Sequence, residues 1–280
     1  MEQGKILSQS NKLSIQKLNK SNACEFRKAF DFIYQRYNHF DYISPDPLQF
    51  LYDYKSIQDR EIVALIASSL AYGRVCQIIK SIEFVLDKMD NAPYHFIMEN
   101  SEKGFITSLK GFKHRFTDAL QLSKLLLNAK SAIKKFGSLE MAFSNFFTNT
   151  KSYIWTIENF AILLNGNSQK ANYLIPRPSN GSPCKRLNLM IKWLVRQDEI
   201  DPGGWKLIPK SELIIPLDTH MWQISYYLGF TKRKNPDFKA AIEITNAFKK
   251  INPEDPCKYD FSLTRLGIRN TKDFRGSIIK

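Results

Sequence analysis

Apolar residues recur at α-helical spacing through most of this chain, and this periodicity limits the folds open to it. The clearest segments are residues 118–135 and 57–72. The second is apolar on nearly every side, which indicates a buried helix. Extended segments do not alternate with helices, and the short candidate "LIIPL" (213–217) is isolated. The sequence therefore predicts an all-α fold rather than a sheet flanked by helices.

Several helix ends carry capping signals. Thr117 or Asp118 can begin one helix, and Gly137 can end it. Ser138, followed closely by an acid, indicates the next start. Asn235 and Pro236 are typical of a cap and a first-turn proline. Further helices are expected over residues 25–38, 151–164, 183–197, 218–228, 236–251 and 256–266.

The domain organisation follows from the absence of any low-complexity linker in the 280 residues. We expect one helical domain over residues 23–280, built as two intertwined lobes around a cleft. Residues 1–22 are polar and predict an N-terminal arm. They lack the apolar core of a secretion signal, and no run approaches the roughly 20 apolar residues of a membrane span. These features favour a cytoplasmic protein that does not bind membranes by insertion.

The charge balance favours a polyanionic partner. Lys and Arg number 41 against 27 Asp and Glu, a net charge of +14. Nucleic acid fits this excess, although charge alone does not separate it from a membrane surface or from an ordinary solvated surface. The four cysteines stand far apart, so we expect reduced thiols, no metal and no cofactor. No obligate protein partner is evident.

One candidate nucleophile lies in "GSPCKRLNLMIKWLVR" (181–196). Ser182 can cap a helix whose first-turn residue is Pro183, which places Lys185 in the first turn. The positive end of the helix dipole disfavours a protonated amine there, and neighbouring Arg186 adds to the effect. An uncharged amine can act as a nucleophile. The alternative is a solvated lysine at a helix start.

An acid 33 residues further on is the natural partner. Asp218 follows the apolar run of "LIIPLDTHMWQISYYLG" (213–229) and can cap the next helix. The same dipole then favours an ionised carboxylate. An amine and a carboxylate in one cleft suit a reaction that develops positive charge at carbon, such as displacement of a base from sugar C1′. A purely structural cap is the alternative.

The segment "LIIPLDTHMWQISYYLGF" resembles the helix-hairpin-helix DNA glycosylases, and its spacing is closest to the archaeal 8-oxoguanine enzymes. That resemblance implies that Asp218 is the catalytic aspartate and Lys185 the Schiff-base lysine. The chain also resembles a bacterial family of unknown function, DUF2400, through "AYGRV" (71–75), "GSPCKRLNLMIKWLVR", "PLDTH" and "DPCKYDFSLTRLGI" (255–268). The glycosylases' "LPGVG" hairpin is absent, and "DPGGW" supplies Gly203 and Gly204, so an irregular hairpin is expected.

Further residues have expected roles in this site. An extruded base needs aromatic or apolar contacts, and the DNA backbone needs donors. Core packing or helix capping is the alternative for most of these positions. The assignments are base contacts by Met190, Trp205, Trp222, Tyr72 and Arg74, DNA contacts by Lys192, Gly203 and Gly204, and orientation of Asp218 by His220. Lys192 is also a rival nucleophile.

The sequence thus predicts a base-excision repair glycosylase acting on damaged duplex DNA, with an oxidised purine such as 8-oxoguanine as substrate. Whether AP-lyase cleavage follows base removal stays open. One alternative is a nucleic-acid-binding protein of the same fold without catalysis. Another is an unrelated lysine-imine enzyme acting on a small carbonyl compound, against which the positive charge and the lack of strands argue.

Overall fold

A computed structural model of the chain describes residues 22–166 and 173–269, so the expected N-terminal arm lies almost wholly outside the described residues. The described part is helical, which confirms the all-α prediction. The helices are α1 (Ala23–Tyr37), α2 (Ile57–Ser69), α3 (Val75–Asp87), α4 (Pro93–Glu99), α5 (Glu102–Ser108), α6 (Ala119–Phe136), α7 (Leu139–Thr150), α8 (Tyr153–Asn165), α9 (Lys185–Val195), α10 (Thr219–Tyr227), α11 (Phe238–Ile251) and α12 (Asp260–Arg269).

The described regular structure that is not α-helical is short. An antiparallel hairpin pairs β1 (Lys113–His114) with β2 (Thr117–Asp118). Short 3₁₀ helices lie at Phe40–Tyr42, Pro47–Asp53, Pro178–Asn180 and Lys210–Glu212. The run "LIIPL" is buried but lies outside any strand. Within the described ranges, no helix combines the length and the apolar character needed to cross a bilayer.

Helix α2 runs through the centre of the fold. Ser56 caps it by accepting a hydrogen bond from the Asp59 backbone N–H at 3.5 Å. Every residue from Glu61 to Ser69 is buried, which confirms the prediction of a helix without a solvent face. It packs against α9 and against the 3₁₀ segment Pro47–Asp53. Helix α2 therefore supports the helix that carries Lys185.

Helices α3 and α4 contact α2, and the other helices form two groups. In the first group α5 contacts α6, and α6, α7 and α8 contact one another. In the second group α1 contacts α11 and α12, and α10 packs on α12. The buried apolar side chains of both groups belong to one continuous cluster within the described residues. Because the groups share a core, the chain folds around the α2–α9 pair rather than as separate bodies.

Local capping signals located some helix ends correctly. Asp118 begins α6 with a full capping box, in which its side chain and that of Gln121 each bond the other's backbone N–H. Gly137, at φ +97°, follows the last residue of α6. Ser138 caps α7 through the Met141 N–H at 3.0 Å. These ends are set by side chains within one turn, so sequence is sufficient to find them.

Other helix ends differ from the prediction. Helix α11 is capped by Asp237, whose carboxylate accepts from the Ala240 N–H at 2.8 Å, and not by Asn235. Helix α12 begins at Asp260 and not at residue 256, because backbone turns occupy residues 255–259. Helices α4 and α5, each seven residues long, were not predicted.

The central position of α2 leads to a stability prediction. Leu65→Ala should lower the free energy of unfolding by about 2–5 kcal/mol, because Leu65 is fully buried and its loss leaves a cavity. The same change at Leu120 of α6, which is 44% exposed, should cost less than about 1 kcal/mol. Urea unfolding of both variants measures the difference, and equal losses would contradict a central role for α2.

Candidate active site

Two neighbouring cavities, of about 290 and 270 Å³, lie where α9, α10 and the turn after α2 meet. The first is bordered by the segment before α9 and the start of α10, and the second reaches down to α12. Their walls share Ala71, Tyr72, Lys185 and Asp218. We call them the upper and the lower cavity.

Lys185 is the first residue of α9, and its side chain is half-buried. The preceding residue, Cys184, has left-handed backbone geometry with φ +50°. The Ser182 hydroxyl accepts from the Cys184 N–H at 3.2 Å, which forms a turn before the helix. The expected start with Ser182 as cap and Pro183 inside the helix is therefore wrong, but Lys185 still lies in the first turn.

Asp218 is the N-cap of α10. Its Oδ1 accepts from the Met221 N–H at 2.7 Å, as the capping pattern predicts. The buried residues before it, Leu213 to Leu217, bring the carboxylate to the wall of both cavities. Lys185 and Asp218 therefore line the same space although 33 residues separate them. Their chemical roles stay predictions.

A buried ionic network lies beneath the lower cavity. The Lys192 amine donates to Asp260 Oδ2 at 2.8 Å and lies 3.7 Å from Asp201 Oδ1. Arg196, which directly follows the last residue of α9, binds three carboxylates. The three carboxylates belong to Asp198, whose Oδ2 lies 2.8 Å from Arg196 Nη2, to Asp255, whose Oδ2 lies 3.0 Å from Arg196 Nε, and to Asp201. We call these two cations and four carboxylates the α9 network.

Burial and charge act in opposite directions within the α9 network. Burial raises the pKa of Asp201 to about 6 and raises that of Asp260, despite the attraction of Lys192. Burial also acts to raise the pKa of Asp198, but the Arg196 guanidinium and two backbone N–H groups lower it to about 2. For Lys192, the carboxylates of Asp201 and Asp260 outweigh burial and raise the pKa, so the amine stays protonated.

An aromatic and cationic cluster forms part of the upper cavity. The Arg186 guanidinium lies 5.0 Å from the Tyr72 ring and 4.7 Å from the Tyr173 ring. It also donates to the Ser69 carbonyl at 3.3 Å. The Tyr72 hydroxyl donates to the His114 carbonyl at 2.9 Å, which ties the cavity wall to the β1–β2 hairpin. Tyr72 thus lies at the predicted site, where its ring contacts Arg186 and its hydroxyl bonds the β1–β2 hairpin.

Three predicted base-contacting side chains do not line either cavity. Met190 is fully buried, because five residues rotate it about 140° from Lys185 on α9. Trp205 is buried against Phe143, and its Nε1–H donates to Glu61 at 2.6 Å. Trp222 donates to the Arg233 carbonyl at 3.1 Å. The prediction that these three line the pocket is wrong, and core packing explains Met190 and Trp205.

The predicted DNA contacts of the α9 segment also need correction. Lys192 is only 2% exposed and is held by carboxylates, so it is not placed to contact a backbone phosphate. Gly203 is buried, and its N–H donates to the Trp193 carbonyl at 3.0 Å. A Cβ on Gly204 would lie 2.1 Å from Ile57. Both glycines therefore serve packing at the far end of α9 from Lys185.

Two other predicted residues lie at the lower cavity. His220 is exposed and lines that cavity, so the alternative of a buried core histidine is wrong. Among the described residues no hydrogen bond joins it to Asp218. Arg74 is exposed between Gly73 and Val75, both of which line the lower cavity. Contacts of Arg74 with DNA stay a prediction.

Sequence reasoning missed several cavity residues. Trp193, Asp260, Phe261 and Arg265 line the lower cavity, the last three from the first two turns of α12. Their spacing at i, i+1 and i+5 is compatible with one side of a helix, but nothing in it indicates which neighbour α12 faces. The contact of Asp260 with Lys192 spans 68 residues, a separation that no local pattern reveals.

The described residues offer little scope for metal or thiol chemistry. No group of three or more His, Cys, Asp or Glu side chains within them is arranged to hold a metal ion. All four cysteines are free, and Cys184 and Cys257 are buried. Burial raises the pKa of Cys184, the thiol nearest Lys185 along the chain, to about 12. This thiol is therefore a poor competitor for the amine as a nucleophile.

The lowered pKa of Asp198 predicts a pH dependence of stability. Its contribution is fully present above about pH 4 and is lost as the pH falls toward 2, because the unfolded carboxyl takes up its proton first. The stability difference between wild type and Asp198→Asn should therefore shrink by about 2 kcal/mol between pH 6 and pH 2. Urea unfolding across this range measures it. A pH-independent difference would contradict the assigned pairing with Arg196.

Comparison with known proteins gives one match. A family model described as "Protein of unknown function (DUF2400)" matches residues 46–269, which include the α9 network and, apart from Pro45, the residues that line both cavities. No curated protein and no solved structure matches the chain. The resemblance to DUF2400 seen in the sequence is confirmed, whereas no match links the chain to the helix-hairpin-helix glycosylases. Because the family model spans most of the sequence, the chain belongs to the DUF2400 family.

Proposed function

We propose that this protein is a DNA base-excision repair glycosylase with AP-lyase activity, which removes an oxidised purine such as 8-oxoguanine through a Schiff base on Lys185. The observation that carries the proposal is that Lys185 and Asp218 line the same two cavities. An amine and a carboxylate at one cavity can supply a nucleophile and a counter-charge to a single reacting carbon.

The proposed reaction begins at C1′ of the damaged nucleotide. The bond between C1′ and the base breaks, and its electron pair leaves with the base, which takes up a proton. The Lys185 nitrogen attacks the electron-poor C1′, and opening of the sugar ring gives an imine. Loss of a C2′ proton then expels the 3′ phosphate. The half-buried position of Lys185 at the cavity wall supports access to a nucleotide turned out of the duplex.

Asp218 supplies negative charge where the transition state becomes cationic. Its Oδ1 is bound by the Met221 N–H at the positive end of α10. That contact holds the carboxylate in one orientation and leaves Oδ2 for the substrate or for Lys185. Stabilisation of an oxocarbenium-like centre by a preorganised carboxylate is the established logic of glycosidic bond cleavage.

DNA binding would rest on the basic surface. The net charge of +14 favours phosphate contacts, and exposed Arg74 lies at the edge of the lower cavity. Such contacts make affinity fall steeply as salt rises. The charge equally supports the alternative, a DNA-binding protein without catalysis, and so the reaction itself has to be tested.

Borohydride trapping tests the nucleophile. Wild-type protein incubated with duplexes that carry 8-oxoguanine, uracil or an abasic site, with borohydride added, should form a covalent adduct on denaturing gels with at least one of them. Lys185→Gln should lower the adduct by at least about 100-fold, because the attacking amine is gone. Lys234→Gln, at an exposed position outside both cavities, is the matched control and should react like wild type.

The outcomes separate the two functions. DNA binding that weakens with salt but gives no adduct across the three lesions would favour the non-catalytic alternative. An adduct that persists in Lys185→Gln would place the nucleophile elsewhere. Lys192→Ala is unsuitable as a control, because it would leave the buried carboxylate of Asp260 without its cation.

Asp218→Asn separates capping from chemistry. Asparagine also caps helices well, so the free energy of unfolding should change by less than about 1 kcal/mol. Base removal should nevertheless slow by about 100- to 1,000-fold, because the carboxylate charge is lost. Single-turnover excision and urea unfolding on the same preparation measure the two effects. An unchanged excision rate would leave Asp218 with its structural role alone.

A further inference from the structure

The lower cavity has two amines on one wall. Lys185, Leu189 and Lys192 occupy positions i, i+4 and i+7 of α9 and line the cavity from its rim to its floor. Seven residues advance about 10 Å along a helix, so Lys192 lies well below Lys185. Lys185 is half-buried, whereas Lys192 is 2% exposed. The proposed mechanism uses only the upper amine.

The floor also carries an acceptor next to this buried donor. Asp260, the first residue of α12, faces Lys192 and bonds its amine through Oδ2 at 2.8 Å. Oδ1 of Asp260 makes no hydrogen bond within the described residues. An ammonium has three N–H donors. Lys192 directs one to Asp260, and Asp201 Oδ1, at 3.7 Å from the amine, is too far for a hydrogen bond. Donors of Lys192 and one acceptor of Asp260 thus remain close to one another.

The walls above this pair combine aromatic and aliphatic side chains with charged ones, such as Lys185, Asp218 and Arg265. Tyr72, Trp193 and Phe261 contribute rings from three different elements, and Val75 and Leu189 add aliphatic surface. The volume of about 270 Å³ lies slightly below the roughly 300–1,000 Å³ typical of small-molecule sites. A flat heterocycle with a polar edge matches both the walls and the floor.

We propose that the Lys192–Asp260 pair binds the polar edge of the extruded base, with Lys192 donating to a ring carbonyl oxygen and Asp260 Oδ1 accepting from the adjacent ring N–H. The inference rests on the proposed function and deepens it by assigning base recognition. The ligand class is a nucleobase that shows a carbonyl beside an N–H, as oxidised purines do. Phosphate contact and nucleophilic attack are then excluded as roles of Lys192.

The α9 network keeps this pair in place before a base arrives. The Asp201 carboxylate lies 3.7 Å from the Lys192 amine, and Arg196 in turn forms an ion pair with Asp201. Both groups of the pair are more than nine-tenths buried, so neither has to be withdrawn from bulk water when a base binds. Preorganised polar groups of this kind discriminate strongly against a ligand that leaves them unpaired.

The test compares two DNA substrates that differ only in the base. Asp260→Asn keeps the side-chain shape and an oxygen for Lys192, but its amide presents a donor where the base offers N–H. It should slow 8-oxoguanine excision by about 10- to 100-fold, the effect of losing a paired base-edge contact. Borohydride trapping on a preformed abasic site, which has no base, should stay within about twofold of wild type.

Asp255→Asn is the matched control. It makes the same charge change in the same network, since Asp255 binds Arg196, but Asp255 does not line the lower cavity. Asp255→Asn should therefore change the reaction with both substrates equally, or with neither of them. Lys192→Met combined with Asp260→Asn removes both members of the pair, so no lone buried charge remains between them. This double variant should lose 8-oxoguanine excision and retain abasic-site trapping.

The possible results have distinct meanings. Wild type that reacts with neither duplex would overturn the proposed function and this inference with it. Wild-type activity together with equal losses on both duplexes in Asp260→Asn and in the double variant would overturn the inference alone, because a structural role predicts that pattern. Unchanged excision of 8-oxoguanine by Asp260→Asn would also overturn the inference and leave the proposed function standing.

Discussion

The geometry of the cleft depends on two buried cations, one in the last turn of α9 and one directly after its end. Lys192 and Arg196 are four residues apart and draw carboxylates from the turn after α9, from the turn before α12 and from α12 itself. Removing water from such groups is costly, and the cost is met only while every charge keeps its partners. Loss of one partner from a buried pair typically destabilises a protein by about 3–5 kcal/mol. The network therefore fixes α12 against α9 and, with it, the depth of the lower cavity.

Features determined within a few residues could be predicted from the sequence. The all-α class follows from apolar periodicity, and the caps Asp118, Ser138 and Asp218 follow from side chains that bond backbone within one turn. The convergence of Lys185 and Asp218 on one space was also expected, from the complementary chemistry of an amine and a carboxylate and from a resemblance to a known family. Their spacing of 33 residues alone does not predict it.

Features determined by packing between distant segments could not be predicted from the sequence. Lys192 was expected at the surface because lysines are rarely buried, and its acidic partners lie 9 and 68 residues away. Trp205 was predicted to contact a base because it lies close in sequence to other expected site residues. In the structure it is buried in the core, where it contacts Glu61 and Phe143. The same limit applies to Phe261, since the facing direction of α12 is set by the α9 network.

The family assignment of the chain and its proposed chemistry rest on different observations. The DUF2400 match covers residues 46–269 and thereby includes Lys185, Asp218 and the whole α9 network. It carries no statement about activity. The chemical interpretation depends instead on which groups share a space and on how firmly the surrounding charges hold them.

Because Lys185 and Lys192 lie on the same face of α9, the number of residues between them limits how the sequence length can change in related chains. A single residue inserted into α9 between them would turn one amine about 100° from the other, which would remove either the upper group from the cavity or the lower group from its carboxylates. Insertions in exposed connections, such as the one between α7 and α8, carry no such penalty. Divergence in length should therefore be concentrated outside the seven residues that keep the two amines in phase.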